Sequence, residues 1–459
     1  MARRGTMHLV SGNLIVTNGT IVTGEDPSRV LEGGAVSIRE GIIDEVVDAR
    51  GAADLLTRRA GVTVLDAGGG VVMPGLVNVH LHLYSAFARG IRVPGPPPRN
   101  FVEVLERLWW RLDRTLTADD VYFSALAGAI ESAKSGTTTL IDHHASPHAC
   151  DGSLSLVHDA LDAVGLRGVL AYEVSDRDGR QREGIAENAR FIARCREKSG
   201  AGRFAGLFGL HASFTLSDAT LAEARAAAES LDAPFHVHVA EDAHDLAHAR
   251  ATSGKSVVRR LADAGILRPG TIAAHCIHLE DGDERVLAER GIVVAHCPQS
   301  NTNNAVGTAD VMQLLNAGVT VGLGTDGFTM SIPHEAEVGV IVHRLARRDP
   351  AAAFGEIVGA ATRTNPHIAS RYLGVKLGEI APGSAGDLAI FRYEPPTPLT
   401  ADSFGGHLLF GIARAPVAAT VVAGRVVQRD GRIEGIDEER ILAECRARCA
   451  DFWRRFEGA

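Results

Sequence analysis

Met73-Pro74-Gly75-Leu76-Val77-Asn78-Val79-His80-Leu81-His82 is the stretch on which the fold turns. A short apolar run ends in two histidines spaced two residues apart. On an extended strand both imidazoles point to one side, which lets them chelate a single ion. The same unit recurs: an apolar run, a polar residue, a loop, then a helical stretch. Between residues 76 and 326 these runs lead to His80 and His82, to Asp142-His143-His144, to Glu173, to His211, to His238 with Glu241, to His275, to His296 and to Asp326. That makes eight strand ends. Thr139-Leu140-Ile141 and Gly291-Ile292-Val293-Val294-Ala295 are apolar without alternation, as parallel strands buried on both faces are. Between the runs the period becomes helical; Leu221, Ala224, Ala228 and Leu231 share one face. Eight successive β-then-α units predict a closed (β/α)8 TIM barrel, with the polar residues at the strand ends where barrel enzymes build their sites. Packing alone does not account for them, because each buried polar group needs a partner.

The chain has 459 residues, enough for a barrel of roughly 250 to 400 residues and a smaller module. Residues 8–70 hold short β-rich pieces separated by Gly and Asn turns, and residues 376–436 repeat that style with the turn Asp430-Gly431. The expected α/β architecture therefore has a small β-sandwich domain built from both termini. Residues 1–72 form its N-terminal part, 73–374 the metal-dependent barrel, 375–436 the C-terminal part of the sandwich, and 437–459 a C-terminal amphipathic helix.

With 45% hydrophobic and 22% charged residues the chain buries a large core, and a net charge of −9 offers no basic face for nucleic acid. Cys150, Cys195, Cys276, Cys297, Cys445 and Cys449 form no C-x-x-C pair and read as reduced thiols of a cytoplasmic protein. No signal-peptide run opens the chain and no apolar run is long enough to span a bilayer, so no membrane is expected. Met1 and Met7 are both candidate starts.

His80-x-His82, with His238 on the fifth strand and Asp326 on the eighth, supplies three neutral imidazoles and one carboxylate. That set suits one divalent ion per chain, Zn²⁺ first, with Fe²⁺ or Mn²⁺ as alternatives. Glu241 stands just past His238. It could chelate, but beside an activated water a carboxylate is more useful as a proton shuttle to a leaving nitrogen. Asp326 can both bind the metal and accept a hydrogen bond from that water.

Pro74-Gly75-Leu76-Val77-Asn78-x-His80-x-His82, Arg89-Gly90, Thr271-Ile272-Ala273-Ala274-His275-Cys276, His296-x-Pro298-x-Ser300-Asn301 and Gly324-Thr325-Asp326-Gly327 together resemble the deaminase and chlorohydrolase branch of the amidohydrolase superfamily. The resemblance spans essentially the whole chain. It is nearest to the SsnA-type aminohydrolases in His143-His144-Ala145-Ser146-Pro147, in Tyr172 to Gly179 and in Gly209-Leu210-His211-Ala212-Ser213-Phe214. It implies that His80, His82, His238 and Asp326 bind the metal, that His275 hydrogen-bonds the attacking water, and that Glu241 is the acid/base. It places His211 and Arg89 in the substrate pocket. Binuclear relatives bridge two ions through a mid-barrel lysine; here the fourth strand ends in His211 and no lysine ends any strand, which favours one metal. Cys297, where relatives carry Asn, reads as local packing.

His144, Glu173, His296 and Asn301 complete the expected substrate contacts. His143 and His144 cannot both face the axis, because neighbours on a strand alternate. Glu173 either binds a ring N–H or pairs with a loop arginine such as Arg177. Trp109-Trp110 either caps the pocket or anchors a helix, the anchor being the preferred reading, and His244, His248 and His278 read as surface or core residues. The expected reaction is deamination of a purine-like N-heterocycle by a metal-dependent hydrolase of non-peptide C–N bonds. Ring opening of a cyclic amide in purine breakdown is the nearest rival, and a non-catalytic barrel scaffold a remoter one. The expected partners are a small N-heterocyclic substrate and further copies of the chain in a homo-oligomer.

Overall fold

The computed structural model describes residues 12–197 and 202–458. The choice between Met1 and Met7 lies outside the described residues. The barrel strands are β1 (Leu76–Leu81), β2 (Thr137–His144), β3 (Arg167–Tyr172), β4 (Phe208–Ala212, preceded by Phe204–Gly206), β5 (Phe235–Val239), β6 (Ile272–His275), β7 (Val293–His296) and β8 (Thr320–Leu323). Each pairs in parallel with the next, within one sheet that runs from β1 to Phe204–Gly206 and another from β4 to β8. Two parallel bridges join the sheets into a ring, Val174 with Leu210 and Leu81 with Asp326.

Each seam depends on a glycine. A Cβ on Gly209 would lie 2.2 Å from the Tyr172 carbonyl oxygen, and one on Gly324 would lie 2.7 Å from that of His80. No other residue allows the backbones to approach so closely. At the second seam Asp326 N donates to His80 O at 3.0 Å, and Asn78 Nδ2 donates to Thr325 Oγ1 at 2.7 Å. The first and last strands are thus locked together where the candidate ligands His80, His82 and Asp326 stand.

The flanks share one nine-stranded sheet. Leu14–Val22, Val30–Arg39 and Ile42–Val47 lie on one side, and Leu388–Phe391, Val417–Val422 and Arg425–Arg429 on the other, joined through Val71–Pro74. Leu14, Val16 and Val36 pack in one core with Leu388, Ile390 and Val421. The boundary expected at residue 73 falls inside the strand Val71–Pro74, which pairs with the flanking strands; the barrel begins at Leu76. A further difference is the helix Ala49–Arg58 inside the flank read as β-rich. Asp48 caps it, and Ala52 and Leu55 pack beside Ile15 and Ala35.

The closing helix Glu438–Gly458 buries Cys445, Phe452 and Phe456. Trp453 Nε1 donates to Phe87 O at 2.8 Å, and Arg111 Nε donates to Phe456 O at 2.6 Å. It therefore braces the segments after β1 that cover the mouth of the barrel.

Candidate metal centre and substrate pocket

His80, His82 and His238 bring one ring nitrogen each within 4.8 Å of the others, and Glu241, His275 and Asp326 do the same with their polar atoms. His82 Nε2 is 3.0 Å and His80 Nε2 3.8 Å from Asp326 Oδ1, and His238 Nε2 is 3.4 Å from His82 Nε2. These three imidazoles spend their other nitrogen outward. His82 Nδ1 meets His143 O at 2.5 Å, His238 Nδ1 meets His211 O at 2.9 Å, and His80 Nδ1 meets His236 Nε2 at 2.8 Å. Each ring thus turns its Nε2 inward, the arrangement that orients a metal-binding histidine. His80 Nε2 is buried without any hydrogen-bond partner. A donor set with such an orphan fits a cation.

Electrostatics agree. Burial pushes His80 and His238 well below the usual histidine range, so both are neutral, as ligation requires. Burial also disfavours charge on His82, but the hydrogen bond and charge of Asp326 outweigh it and lift His82 to about 9. Burial would raise Asp326, yet His82, His275 and the Ser300 hydroxyl hold it well below the carboxylate range.

Glu241 and His275 flank this cluster, His275 Nε2 lying 3.4 Å from Glu241 Oε2. Burial first, then the charges of Asp326 and Asp242, raise Glu241 well above its usual range, so it holds a proton readily. Burial lowers His275 to about 4, so it is neutral. Asn301 Nδ2 lies 2.8 Å from His275 Nδ1; with the amide N–H donating, the hydrogen of the imidazole sits on Nε2. Ala240, His275, Cys276 and Asp326 all have φ between 48° and 75°. Left-handed backbone at four non-glycine residues costs about 1 kcal/mol or more each and is concentrated at this rim.

A cavity opens in front of the cluster. It is lined by His82, His238, Glu241 and Asp326 from the centre, by Glu173 and His211 beside them, and by Phe101, Trp109, Trp110 and Phe214.

The amidohydrolase family model matches residues 71–427. The chain belongs to the amidohydrolase family. Among its relatives, a 5-methylthioadenosine/S-adenosylhomocysteine deaminase of Desulforudis audaxviator is 33% identical over 83% of this chain and 86% of its own. A 5'-deoxyadenosine deaminase of Methanosarcina mazei is 31% identical over 94% and 96%. The fold is also that of a zinc-bound adenosine deaminase from Xanthomonas campestris (TM-score 0.83, 24% identity, 98% of this chain and 99% of that one). An atrazine chlorohydrolase from Arthrobacter aurescens, complexed with zinc, shares it (TM-score 0.78, 22% identity, 95% and 100%).

Within this amidohydrolase, Glu173 and His211 line the cavity as expected substrate contacts should, but four other candidates do not. Arg89 turns outward and its Nη2 pairs with Glu131 at 2.9 Å, on a side chain 60% exposed. His144 faces Ser146 Oγ at 2.9 Å, between the rings of Tyr84 and Tyr172. His296 is buried against His343, Nε2 to Nε2 at 3.1 Å. Asn301 is spent on His275. His143 packs against the His238 ring and meets Leu210 O at 3.1 Å.

Of the two readings of Glu173, the ion pair with Arg177 is present. Glu173 lines the cavity while Oε1 accepts from Arg177 Nη2 at 2.8 Å; the same Nη2 reaches Asp113 Oδ2 at 3.0 Å. Burial pushes Glu173 up to about 7 against the pull of Arg177, and Asp113 to about 6. Trp109 and Trp110, expected as a helix anchor, line the cavity instead, as does His244. They are carried there by the segment Phe101–Thr115, whose middle, Leu105–Trp109, is a π-turn, a feature common at functional sites. Asp113 and His236 escaped the sequence reading. His236-x-His238 repeats the spacing of His80-x-His82, and that repetition was the available signal for His236.

Proposed function

We propose that the chain is a metal-dependent deaminase of a purine-like N-heterocycle. The observation that carries this is the cluster itself: four ligand side chains with Glu241 and His275 at its edge, in a family whose relatives above are named as deaminases of adenosine-type nucleosides. His80, His82, His238 and Asp326 would hold one ion, and zinc fits because the structural relatives carry it. When bound, such an ion supplies the charge that brings the pKa of a water towards roughly 7, making a nucleophile available at neutral pH. Glu241 moves the proton, taking it from the water and delivering it from its carboxyl to the departing nitrogen. His275 donates from Nε2 towards the attacking oxygen, and Asp326 Oδ1 accepts from it. Glu173 and His211 read the ring edge from the side, while Trp110 and Phe214 cover its faces and exclude water.

The same machinery attacks a ring amide if the nitrogen that leaves is part of the ring. Incubation of the purified holoenzyme with adenosine-type nucleosides, free purines, pyrimidines, pterins and triazines separates the two. Deamination yields ammonia and a product with oxygen in place of the amino group. A ring-opened product that has gained water without ammonia release would overturn the deaminase reading, and no turnover with an intact metal centre would favour a scaffold. Among the described residues no helix is long and apolar enough to cross a membrane. A cytoplasmic location is supported by the thiols of Cys150, Cys276, Cys297, Cys445 and Cys449, and a homo-oligomer by the exposed apolar side chains Ile341, Leu345 and Phe410.

A further inference from the structure

The cavity walls are of two kinds. Phe101, Trp109, Trp110 and Phe214 supply aromatic surface; Asp113, Glu173, Asp242 and Asp245 supply carboxylates beyond those of the metal centre. Among the described residues no Lys or Arg lines it. Asp113 is 2% exposed and its Oδ1 has no hydrogen-bond partner, so an acceptor stands unspent in the wall. Arg177, whose guanidinium lies 4.9 Å from the centre of the Trp110 ring, is not part of the lining, and its Nη2 is shared between Asp113 and Glu173. The adjoining outer cavity does hold Arg89 and Arg99, but each is closed by its own carboxylate, Glu131 at 2.9 Å and Glu103 at 2.6 Å.

Building on the deaminase reading, we propose that this site selects by charge: the group a substrate carries beyond its reacting ring is neutral or cationic, and substrates bearing a phosphate or carboxylate there are refused. An anion buried against these carboxylates loses its hydration and finds no cation in the lining, because the nearby Arg177 is already shared by Asp113 and Glu173. The negative faces of the aromatic rings add to this, since they attract cations and repel anions. A nucleoside with a neutral thioether tail is then accepted, whereas the carboxylate of a homocysteinyl tail is disfavoured even though its ammonium is not, which separates two substrates that the name of the Desulforudis relative couples.

Two measurements on the purified holoenzyme test this. The first depends on no assumed substrate: calorimetric binding of phenyltrimethylammonium and of benzenesulfonate, probes of similar size and opposite charge. The cation is expected to bind at least about tenfold more tightly, the scale of a single unfavourable charge contact. Equal affinity, tighter sulfonate binding, or no measurable binding of the cation overturns the proposal. Val102→Lys places an ammonium in the cavity wall and should cut that ratio by about tenfold, whereas Val102→Leu should leave it in place. The second measurement is ammonia release from 5'-amino-5'-deoxyadenosine, 5'-methylthioadenosine and adenosine 5'-monophosphate. The monophosphate is expected to have a kcat/KM at least about tenfold below the other two; equal turnover overturns the proposal. If none of the three releases ammonia, the deaminase reading fails for this ring class, and the probe pair still decides the question of charge.

Discussion

Asn301→Leu separates a residue that touches substrate from one that positions another residue. The change keeps the side-chain volume nearly constant and removes the amide N–H that lies 2.8 Å from His275 Nδ1. Both residues are fully buried, so no water replaces the lost donor. His275 Nδ1 is then an unsatisfied acceptor, and nothing holds the ring hydrogen on Nε2 where the reaction uses it. Leaving a buried polar group unpaired costs about 1 to 3 kcal/mol, which corresponds to about 5- to 150-fold in rate. Because Asn301 lies outside the cavity lining, the loss should fall on kcat and leave KM within about twofold. Asn301→Asp is the sharper companion: its carboxylate accepts from an Nδ1–H and enforces the unproductive tautomer, so kcat should fall at least as far. Steady-state kinetics on the substrate that releases ammonia, with zinc content by mass spectrometry, is the assay. Metal content should be unchanged, because the four proposed ligands are untouched. A kcat equal to wild type, or a loss carried wholly by KM, refutes the positioning argument.

Glu241→Gln should retain the metal and lower turnover by roughly 10²- to 10⁴-fold, the usual worth of general acid–base catalysis; metal lost together with activity would make Glu241 a ligand. Zinc uptake should release close to one proton per ion at pH 7. The Asp326 contact lifts metal-free His82 to about 9, and binding needs that ring neutral. Apparent zinc affinity therefore rises with pH and levels off above about 9, and calorimetry in buffers of different ionisation enthalpy reads the proton count. Arg89→Met should alter kcat/KM and stability by no more than about 1 kcal/mol, as suits one half of an exposed ion pair with Glu131; a large loss in kcat/KM would return Arg89 to the pocket.

The contrast between Arg89 and His82 shows how far local sequence reaches. His80-x-His82 and the polar ends of the other strands were legible because strand alternation is a two-residue rule, independent of what lies across the barrel. Glu173 and His211 at their strand ends inherit the same rule and do line the cavity. Arg89 lies past the helical turn Leu83–Ala88, where no such rule applies, and its partner Glu131 is 42 residues further along the chain.

Sequence by itself determined the family, the barrel, the four candidate ligands and Glu241, since each follows from a short-range pattern repeated at eight strand ends. Tertiary structure alone decided what surrounds them. Trp109, Trp110 and Asp113 reach the cavity because the segment Phe101–Thr115 lies across the barrel mouth, braced by its Arg111 against Phe456 of the closing helix, 345 residues away. His236 meets His80 across 156 residues, and Asn301 meets His275 because β6 and β7 run side by side. The ring of strands brings such partners together, and no local repeat encodes a contact made only when that ring closes.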